Sequence, residues 1–231
     1  MIELHGISKT FAQNGKNSTS ITPLDKVSLD IEDGKIIGLV GASGEGKSTL
    51  ANILCGICPP SRGKVYVDGV SLWSDKCKYD RKTGCAVQLI PQKPTLALDP
   101  TQRIGGAVKE ALVAFKNAKR GKDATQKTYE LFDVVGLERT LASRLPVHLS
   151  GGQAQRAVIA RALATRPKLL ISDESTSMLD EQTQEKILQL YKTIVQNNGI
   201  SVLFITHDID VAKRFCDTTY NLKNGKINVL Q

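Results

Sequence analysis

Eight consecutive residues have the types and spacing of a phosphate-binding loop. Residues 41–48 read Gly-Ala-Ser-Gly-Glu-Gly-Lys-Ser and match the pattern GxxxxGK[ST] without a mismatch. Glycines at these positions let the backbone turn tightly and direct its N–H groups towards phosphate oxygens. The apolar stretch Ile36–Val40 precedes the loop as a predicted strand, and a predicted helix follows from residue 47 to about residue 55. This order of strand, loop and helix is the context that phosphate binding requires.

The loop predicts a bound nucleotide, and two of its residues have specific expected roles. Lys47 would reach the β- and γ-phosphates, and the Ser48 hydroxyl would be a ligand of Mg²⁺. A glycine-rich turn without a ligand is the structural alternative, and the loop alone does not choose between kinase, GTPase, helicase and transporter motor. The residues expected to bind the nucleotide here are Gly41, Ala42, Ser43, Gly44, Glu45, Gly46, Lys47, Ser48 and Thr49.

Two acidic residues end an apolar stretch in the second half of the chain. A strand predicted at residues 168–172 is followed directly by Asp173 and Glu174. A buried strand would deliver Asp173 to the sheet edge beside the phosphate loop, where it can hold Mg²⁺. Glu174 could then polarise the attacking water as a general base. The alternative is a solvated acidic turn.

A glycine-containing pentapeptide lies between the phosphate loop and the acidic pair. Residues 149–153 read Leu-Ser-Gly-Gly-Gln and open a predicted helix that continues to residue 164. Ser150 would cap this helix, and the glycines would expose N–H groups to an anion. The pentapeptide resembles the signature motif of ABC ATPases. By that resemblance the nucleotide-contacting residues of the motif are Ser150, Gly151, Gly152 and Gln153.

The same resemblance implies roles for four more residues, found in family order along the chain. Phe11 would stack on adenine, although packing in the core is an alternative for this aromatic ring. Gln92 resembles the loop glutamine that meets Mg²⁺ and couples to the membrane subunit, with Gln88, inside the preceding strand, as the competing choice. Asp180 belongs to a loop that touches the opposite subunit, and it is expected among the nucleotide-binding residues. His207 resembles the switch histidine at the γ-phosphate, with a structural histidine as the alternative.

These residues must be positioned by a folded scaffold. The length of the chain, 231 residues, predicts that this scaffold is one domain. Strands alternate with helices after residue 168, which indicates a parallel sheet covered on both faces. The fold class is therefore α/β, with a P-loop NTPase (RecA-like) core. An N-terminal antiparallel β subdomain includes a hairpin around Asp68-Gly69, and the chain ends in another hairpin at Asn224-Gly225. A helical subdomain is expected at about residues 93–155, with helices at 105–119 and 125–135, and a surface loop at 13–20.

The amino-acid composition and the net charge limit the kinds of molecule that the chain is expected to bind. A net charge of +8 could favour binding to nucleic acid, to an anionic membrane surface or to anionic ligands. The basic residues are scattered, and the densest cluster is expected at a solvated helix end, so we expect phosphate binding and membrane proximity and no nucleic acid. That cluster contains Lys116, Lys119, Arg120 and Lys122.

The expected location is the cytoplasmic face of the cell membrane, as a peripheral protein. No apolar run approaches the roughly 18 residues needed to cross a bilayer, and the N-terminal residues do not resemble a signal peptide. Five cysteines fit a reducing compartment. Cys55 and Cys58 have the CxxC spacing of redox or zinc sites, but no second pair at a suitable spacing follows, so we interpret them as small residues at a helix end.

The resemblance covers nearly the whole chain and implies an ATPase that energises a membrane transporter. The cofactors would be ATP and Mg²⁺, and the partners transmembrane permease subunits, a second ATPase subunit in a homo- or heterodimer and, indirectly, a solute-binding protein. Residues 90–100 resemble importers of oligopeptides, dipeptides and nickel, so the expected cargo is a peptide, a metal or a metal chelate. Ser175 and Met178 replace the common Pro and Ala, and neither change removes a reacting group.

Two other function classes stay open at this point. One is a soluble ABC ATPase that acts on a macromolecule, although such proteins usually carry long insertions or duplicated domains. The other is a module that binds ATP without turnover, which the presence of Glu174 and His207 speaks against.

Overall fold

The computed structural model describes residues 1–12 and 20–230, so the surface loop expected at residues 13–20 lies outside the described residues except for Ser20. Ten strands are described: β1 Ile2–Phe11, β2 Ile21–Ile31, β3 Ile36–Val40, β4 Arg62–Val67, β5 Val70–Ser71, β6 Val87–Ile90, β7 Leu169–Asp173, β8 Ser201–Thr206, β9 Thr218–Lys223 and β10 Lys226–Val229. Seven α-helices are described with them: α1 Lys47–Leu54, α2 Arg81–Gly84, α3 Ile104–Ala114, α4 Lys122–Val135, α5 Gly151–Leu163, α6 Glu181–Asn198 and α7 Ile209–Phe215.

An antiparallel sheet forms the N-terminal part, as the sequence predicts. Its strand order is β2-β1-β4-β5, and β1 pairs antiparallel with both neighbours, so that Ile2 lies opposite Ile31 on one side and Val67 on the other. The side chains of Ile2, Leu4 and Ile7 are buried against the second sheet. The turn at residues 32–34 joins β2 to β3, which belongs to the second sheet. The sequence of the turn alone does not reveal that the two strands lie in different sheets.

The second sheet has the order β10-β9-β3-β8-β7-β6 and is parallel except for β10. Alternate residues of its central strand β3 enter different cores: Ile36 and Val40 join one, and Ile37 and Leu39 join the other. All five residues of β3 are therefore buried, as expected of a parallel strand covered on both faces. The carboxyl ends of β3, β8 and β7 meet at one edge of this sheet.

The region between β6 and β7 is helical, but its helix bounds differ from the prediction. Helix α3 ends at Ala114 rather than near residue 119, because the chain leaves the helical conformation at Lys116, whose φ is 57°. Of the four basic residues expected at a helix end, Lys122 is the first residue of α4, and the other three lie in the exposed turn between α3 and α4. The sequence also gave no signal for the short helix α2, which the Asp80 side chain caps by accepting from Lys82 N–H.

Candidate functional site

The ends of three neighbouring strands bring the predicted site residues together. Val40, just before the phosphate loop, lies opposite Thr206 at the end of β8. Asp173 at the end of β7 lies opposite Ile205 of the same strand. Residues 41–48, the acidic pair and His207 therefore emerge side by side, although β3 ends at Val40 and β8 begins only at Ser201.

Two glycines of the phosphate loop are required because other backbone approaches them. A Cβ atom on Gly41 would lie 2.5 Å from the carbonyl oxygen of Leu222, and one on Gly46 would lie 2.5 Å from that of Pro23. Gly46 also has a φ of 103°, which residues with a side chain rarely adopt. The loop thus runs between β9 and β2, and its shape depends on both strands.

Lys47 lies inside the loop that precedes it. Its side chain is only 6% exposed, and its Nζ donates hydrogen bonds to the carbonyl oxygens of Gly41 and Ala42, at 2.8 and 3.0 Å. The same Nζ is 4.0 Å from Glu174 Oε1. A buried ammonium group is costly without anionic partners, so the site favours a negatively charged ligand.

Asp173 and Ser48 supply neighbouring oxygen atoms of the kind that Mg²⁺ prefers. Burial raises the pKa of Asp173 and the nearby Glu174 adds to this, whereas a hydrogen bond from Ser48 and the charge of Lys47 act against it. Among residues 1–12 and 20–230, no group of three or more His, Cys, Asp and Glu side chains could hold a metal ion alone. This donor set fits Mg²⁺, which usually takes one or two protein oxygens together with substrate phosphates and water.

Glu174 is the point on which three other predicted residues converge. Gln92 Nε2 donates to Glu174 Oε2 at 3.3 Å, while His207 Nδ1 lies 3.7 Å from Oε1, on the same side as Lys47. Gln88 stays in β6, where its amide donates to the carbonyl oxygen of Cys85 at 3.2 Å, so Gln92 is the glutamine that reaches the site.

The backbone of Glu174 has an unusual conformation. Its φ is 47°, in the left-handed region that non-glycine residues occupy only at a cost of about 1–3 kcal/mol. Its N–H donates to the carbonyl oxygen of Ile205 at 3.0 Å, which holds the turn against β8. This conformation turns the carboxylate towards Lys47, Gln92 and His207.

The pentapeptide at residues 149–153 begins α5 with a capping box, which confirms the predicted cap. Ser150 Oγ accepts from Gln153 N–H at 3.2 Å, and Gln153 Oε1 accepts from Ser150 N–H at 3.0 Å. The two glycines face the start of α6: a Cβ on Gly151 would lie 3.4 Å from Leu179, and one on Gly152 only 2.6 Å from the Thr183 methyl group. Gly152 thus has a packing requirement that the sequence did not indicate.

Asp180 and Phe11 are the remaining two residues that are expected to contact the nucleotide. Asp180 caps α6, because its carboxylate accepts from Thr183 N–H at 2.9 Å and Thr183 Oγ1 at 2.7 Å. Phe11 is 43% exposed, so the core-packing alternative is wrong for this residue. Its ring lies 5.0 Å from Lys9 Nζ, and its strand neighbour β2 carries the Pro23 carbonyl that touches the phosphate loop.

The side chain of Glu45 makes a contact that the sequence did not predict. Its Oε2 atom accepts a hydrogen bond from the backbone N–H of Asn224, at 2.5 Å, in the turn between β9 and β10. The carbonyl oxygen of Gly225, the next residue, accepts from Asp25 N–H at 2.8 Å. Glu45 therefore holds the phosphate loop to the terminal hairpin, a contact between residues 179 positions apart that no local signal could predict.

The comparison with known families agrees with the motifs. The family described as ABC transporter matches residues 24–177, a span that runs from β2 through the phosphate loop and the Leu149–Gln153 motif to the acidic pair. The chain belongs to the ABC transporter family. Its fold is accordingly the α/β P-loop NTPase fold that the sequence predicts.

Several ABC transporter proteins resemble this chain over most of its length. It is 40% identical over 228 residues to a methionine import ATP-binding protein of Oceanobacillus iheyensis, covering 98% of this chain and 65% of that protein. It is 39% identical over 205 residues to a putative peptide import ATP-binding protein of Brucella abortus, covering 88% and 61%. The chain thus spans less than two thirds of the length of these relatives.

A solved ABC cassette shares the fold at full length. The dimeric structure of a post-hydrolysis state of an ATP-binding cassette with ADP and phosphate bound superposes with a TM-score of 0.79 and 31% identity, covering 100% of this chain and 99% of the other. In this ABC transporter chain, no helix of the described ranges, 1–12 and 20–230, is long and apolar enough to cross a membrane.

Proposed function

We propose that this chain binds ATP with Mg²⁺ and hydrolyses it to ADP and phosphate, and that this reaction energises a membrane importer. The observation that carries the proposal is the convergence of Lys47, Gln92 and His207 on the Glu174 carboxylate, beside a strict phosphate-binding loop. Family membership supports the same activity, as does the ADP and phosphate bound to the related cassette.

Each residue of the cluster has a role in attack by water on the γ-phosphate. Glu174 accepts the proton of the attacking water, and His207 and Gln92 orient the reacting groups around it. Lys47 neutralises negative charge on the β- and γ-phosphates, which grows in the transition state. Ser48, Asp173 and Gln92 are the residues that would hold Mg²⁺, which supplies further charge neutralisation at the phosphates.

Substitution of the proposed base tests the activity. Glu174→Gln keeps the size of the side chain and removes its basicity, so we expect ATP binding to persist while turnover falls at least about a hundredfold. Phosphate release and binding of a fluorescent ATP analogue would be measured on the same preparation. Glu130→Gln, an exposed change on α4, serves as the matched control. Turnover at the unsubstituted rate in Glu174→Gln would contradict the proposed base.

We further propose that the active form contains a second ATPase subunit, identical or different, whose signature motif covers this nucleotide. The dimeric related cassette supports this arrangement. Ser150→Arg places a bulky cation at the motif, so ATP-dependent dimers of the Glu174→Gln protein should disappear while each monomer still binds ATP. Ser150→Ala is the control for loss of the hydroxyl, since it removes the cap at a cost of about 1 kcal/mol without adding the bulky cation. Persistent dimers with Ser150→Arg would contradict the composite site.

The proposed partners are transmembrane permease subunits and, indirectly, a solute-binding protein, with this chain at the cytoplasmic face of the membrane. The names of the two relatives support import of an amino acid or a peptide, and neither name refers to a metal. Uptake of labelled methionine, a short peptide and nickel by cells carrying Glu174→Gln would separate these cargoes. If uptake of none of them is lost, the result would favour the alternative, a soluble ABC ATPase that acts on a macromolecule.

A further inference from the structure

Four buried polar side chains lie beneath the turn that carries Glu174. Ser172, Ser175, Tyr191 and Gln155 are each at most 2% exposed. The hydroxyl oxygens of Ser172 and Ser175 are 2.6 Å apart, and Ser175 Oγ is 3.3 Å from the Tyr191 hydroxyl oxygen. Burying hydroxyl groups is favourable only when they are hydrogen-bonded, so these three side chains depend on one another.

Gln155 brings a fourth group to the same hydroxyl. Within the part of the chain that the structure describes, neither its amide nitrogen nor its carbonyl oxygen has a hydrogen-bond partner of good geometry. Helix α5 packs against α6, which places the Gln155 side chain near the Tyr191 hydroxyl without a hydrogen bond between them. A buried amide without a partner costs about 1–3 kcal/mol, and a small rotation towards Tyr191 would remove that cost. Tyr191 can serve as both donor and acceptor in such a contact.

The four residues come from elements with different roles in the proposed reaction. Ser172 directly precedes Asp173, and Ser175 directly follows Glu174. Gln155 lies on α5, less than two turns after the signature serine, Ser150. Tyr191, on α6, therefore lies between the Glu174 turn and α5. The Glu174 turn would act on the nucleotide bound by this chain, and the start of α5 would contact the nucleotide bound by the partner subunit.

We propose that Tyr191 is a positioning residue that links the Glu174 turn to α5, because its hydroxyl contacts Ser175 on that turn and lies beside the unpartnered Gln155 amide on α5. The inference rests on the proposed ATPase function and deepens it. A displacement of α5 changes the contact of Gln155 with the Tyr191 hydroxyl. This hydroxyl in turn holds Ser175, and so it fixes the orientation of the adjacent carboxylate.

Tyr191→Phe removes the hydroxyl and keeps the ring that fills the core. We expect kcat to fall about threefold to tenfold, the range that loss of one buried hydrogen bond produces, with an unchanged affinity for a fluorescent ATP analogue. Thr128→Val is the matched control, because it removes another fully buried hydroxyl, which donates to Ala124 O at 2.7 Å within α4 and does not contact the Glu174 turn. An unchanged kcat in Tyr191→Phe, or an equal loss in Thr128→Val, would overturn the inference.

Backbone hydrogen exchange tests the coupling without turnover. In Ser175→Ala and in Tyr191→Phe, amides of residues 173–176 and of residues 151–156 should both exchange at least about threefold faster, while those of β1 in the antiparallel sheet do not change. The combined variant should exchange no faster than Tyr191→Phe alone, since both changes break one chain of bonds. Faster exchange at residues 173–176 only would overturn the coupling. If the unsubstituted protein does not hydrolyse ATP, the proposed function fails, and the exchange result still decides the role of Tyr191.

Discussion

A methyl group added to Gly152 tests why the signature motif contains a glycine at this position. The Cβ of Gly152→Ala would lie 2.6 Å from Thr183 Cγ2, about 0.8 Å closer than the 3.4 Å at which ordinary contact begins. The threonine methyl group cannot rotate away freely, because Thr183 Oγ1 donates to Asp180 at 2.7 Å. Helix α5 must therefore move away from α6, or the cap of α6 must break.

The expected change in stability has opposite signs in two backgrounds. Overpacking of this kind costs about 2 kcal/mol, and alanine in place of glycine in a helix regains up to about 1 kcal/mol. Gly152→Ala alone should therefore lower the free energy of unfolding by about 1 kcal/mol. Thr183→Ser removes the methyl group and keeps the hydroxyl that bonds Asp180. In that background Gly152→Ala should raise the free energy of unfolding.

Urea unfolding of the four proteins, followed by circular dichroism, gives the interaction energy directly, and we expect about 2 kcal/mol between the two positions. Equal destabilisation by Gly152→Ala in both backgrounds would refute the packing explanation. ATPase rates of the same proteins separate packing from nucleotide contact. If the combined variant is stable but inactive, the glycine also leaves room for the nucleotide of the opposite subunit.

Three further predictions follow from the contacts of single side chains. Lys47→Ala should weaken binding of a fluorescent ATP analogue at least about tenfold, because it removes a charge at the phosphates, and an unchanged affinity would contradict the phosphate-loop assignment. Glu45→Ala should lower the free energy of unfolding by about 1 kcal/mol, because it removes the acceptor of the hydrogen bond from Asn224 N–H. Glu45→Gln keeps an acceptor oxygen and should lower the free energy of unfolding less. Equal losses of stability in the two variants would show that this hydrogen bond contributes nothing. Hydrogen bonds from Lys168 and the N-terminal ammonium group hold the pKa of Asp68 below its ordinary value of 3.8. The ionised carboxylate therefore stabilises the folded state above pH 3.8, and this stabilisation is lost as the pH falls through the lowered pKa. Asp68→Asn should therefore lower the thermal unfolding midpoint slightly at neutral pH and have no effect in strong acid, and a difference that persists in acid would exclude the ion pair as its cause.

The features that the sequence alone determined depend on few consecutive residues. The phosphate loop needs its own glycines and a strand and helix on either side, and the cap of α5 needs only Ser150 and Gln153. The apolar runs of β3, β7 and β8 predict buried parallel strands, because such strands are covered on both faces. Local composition was less informative about helix ends, as the early end of α3 at Ala114 illustrates.

The tertiary structure decided which of these residues meet. Glu45 belongs to the phosphate loop in sequence, yet its carboxylate is bound by a turn 179 positions away, and Gln92 rather than Gln88 reaches Glu174. The need for glycine at position 152 comes from a methyl group on a different helix. Contacts of this kind depend on strand order and helix packing, in which residues far apart in the chain come within a few ångströms of one another, and no pattern of neighbouring residues contains that information.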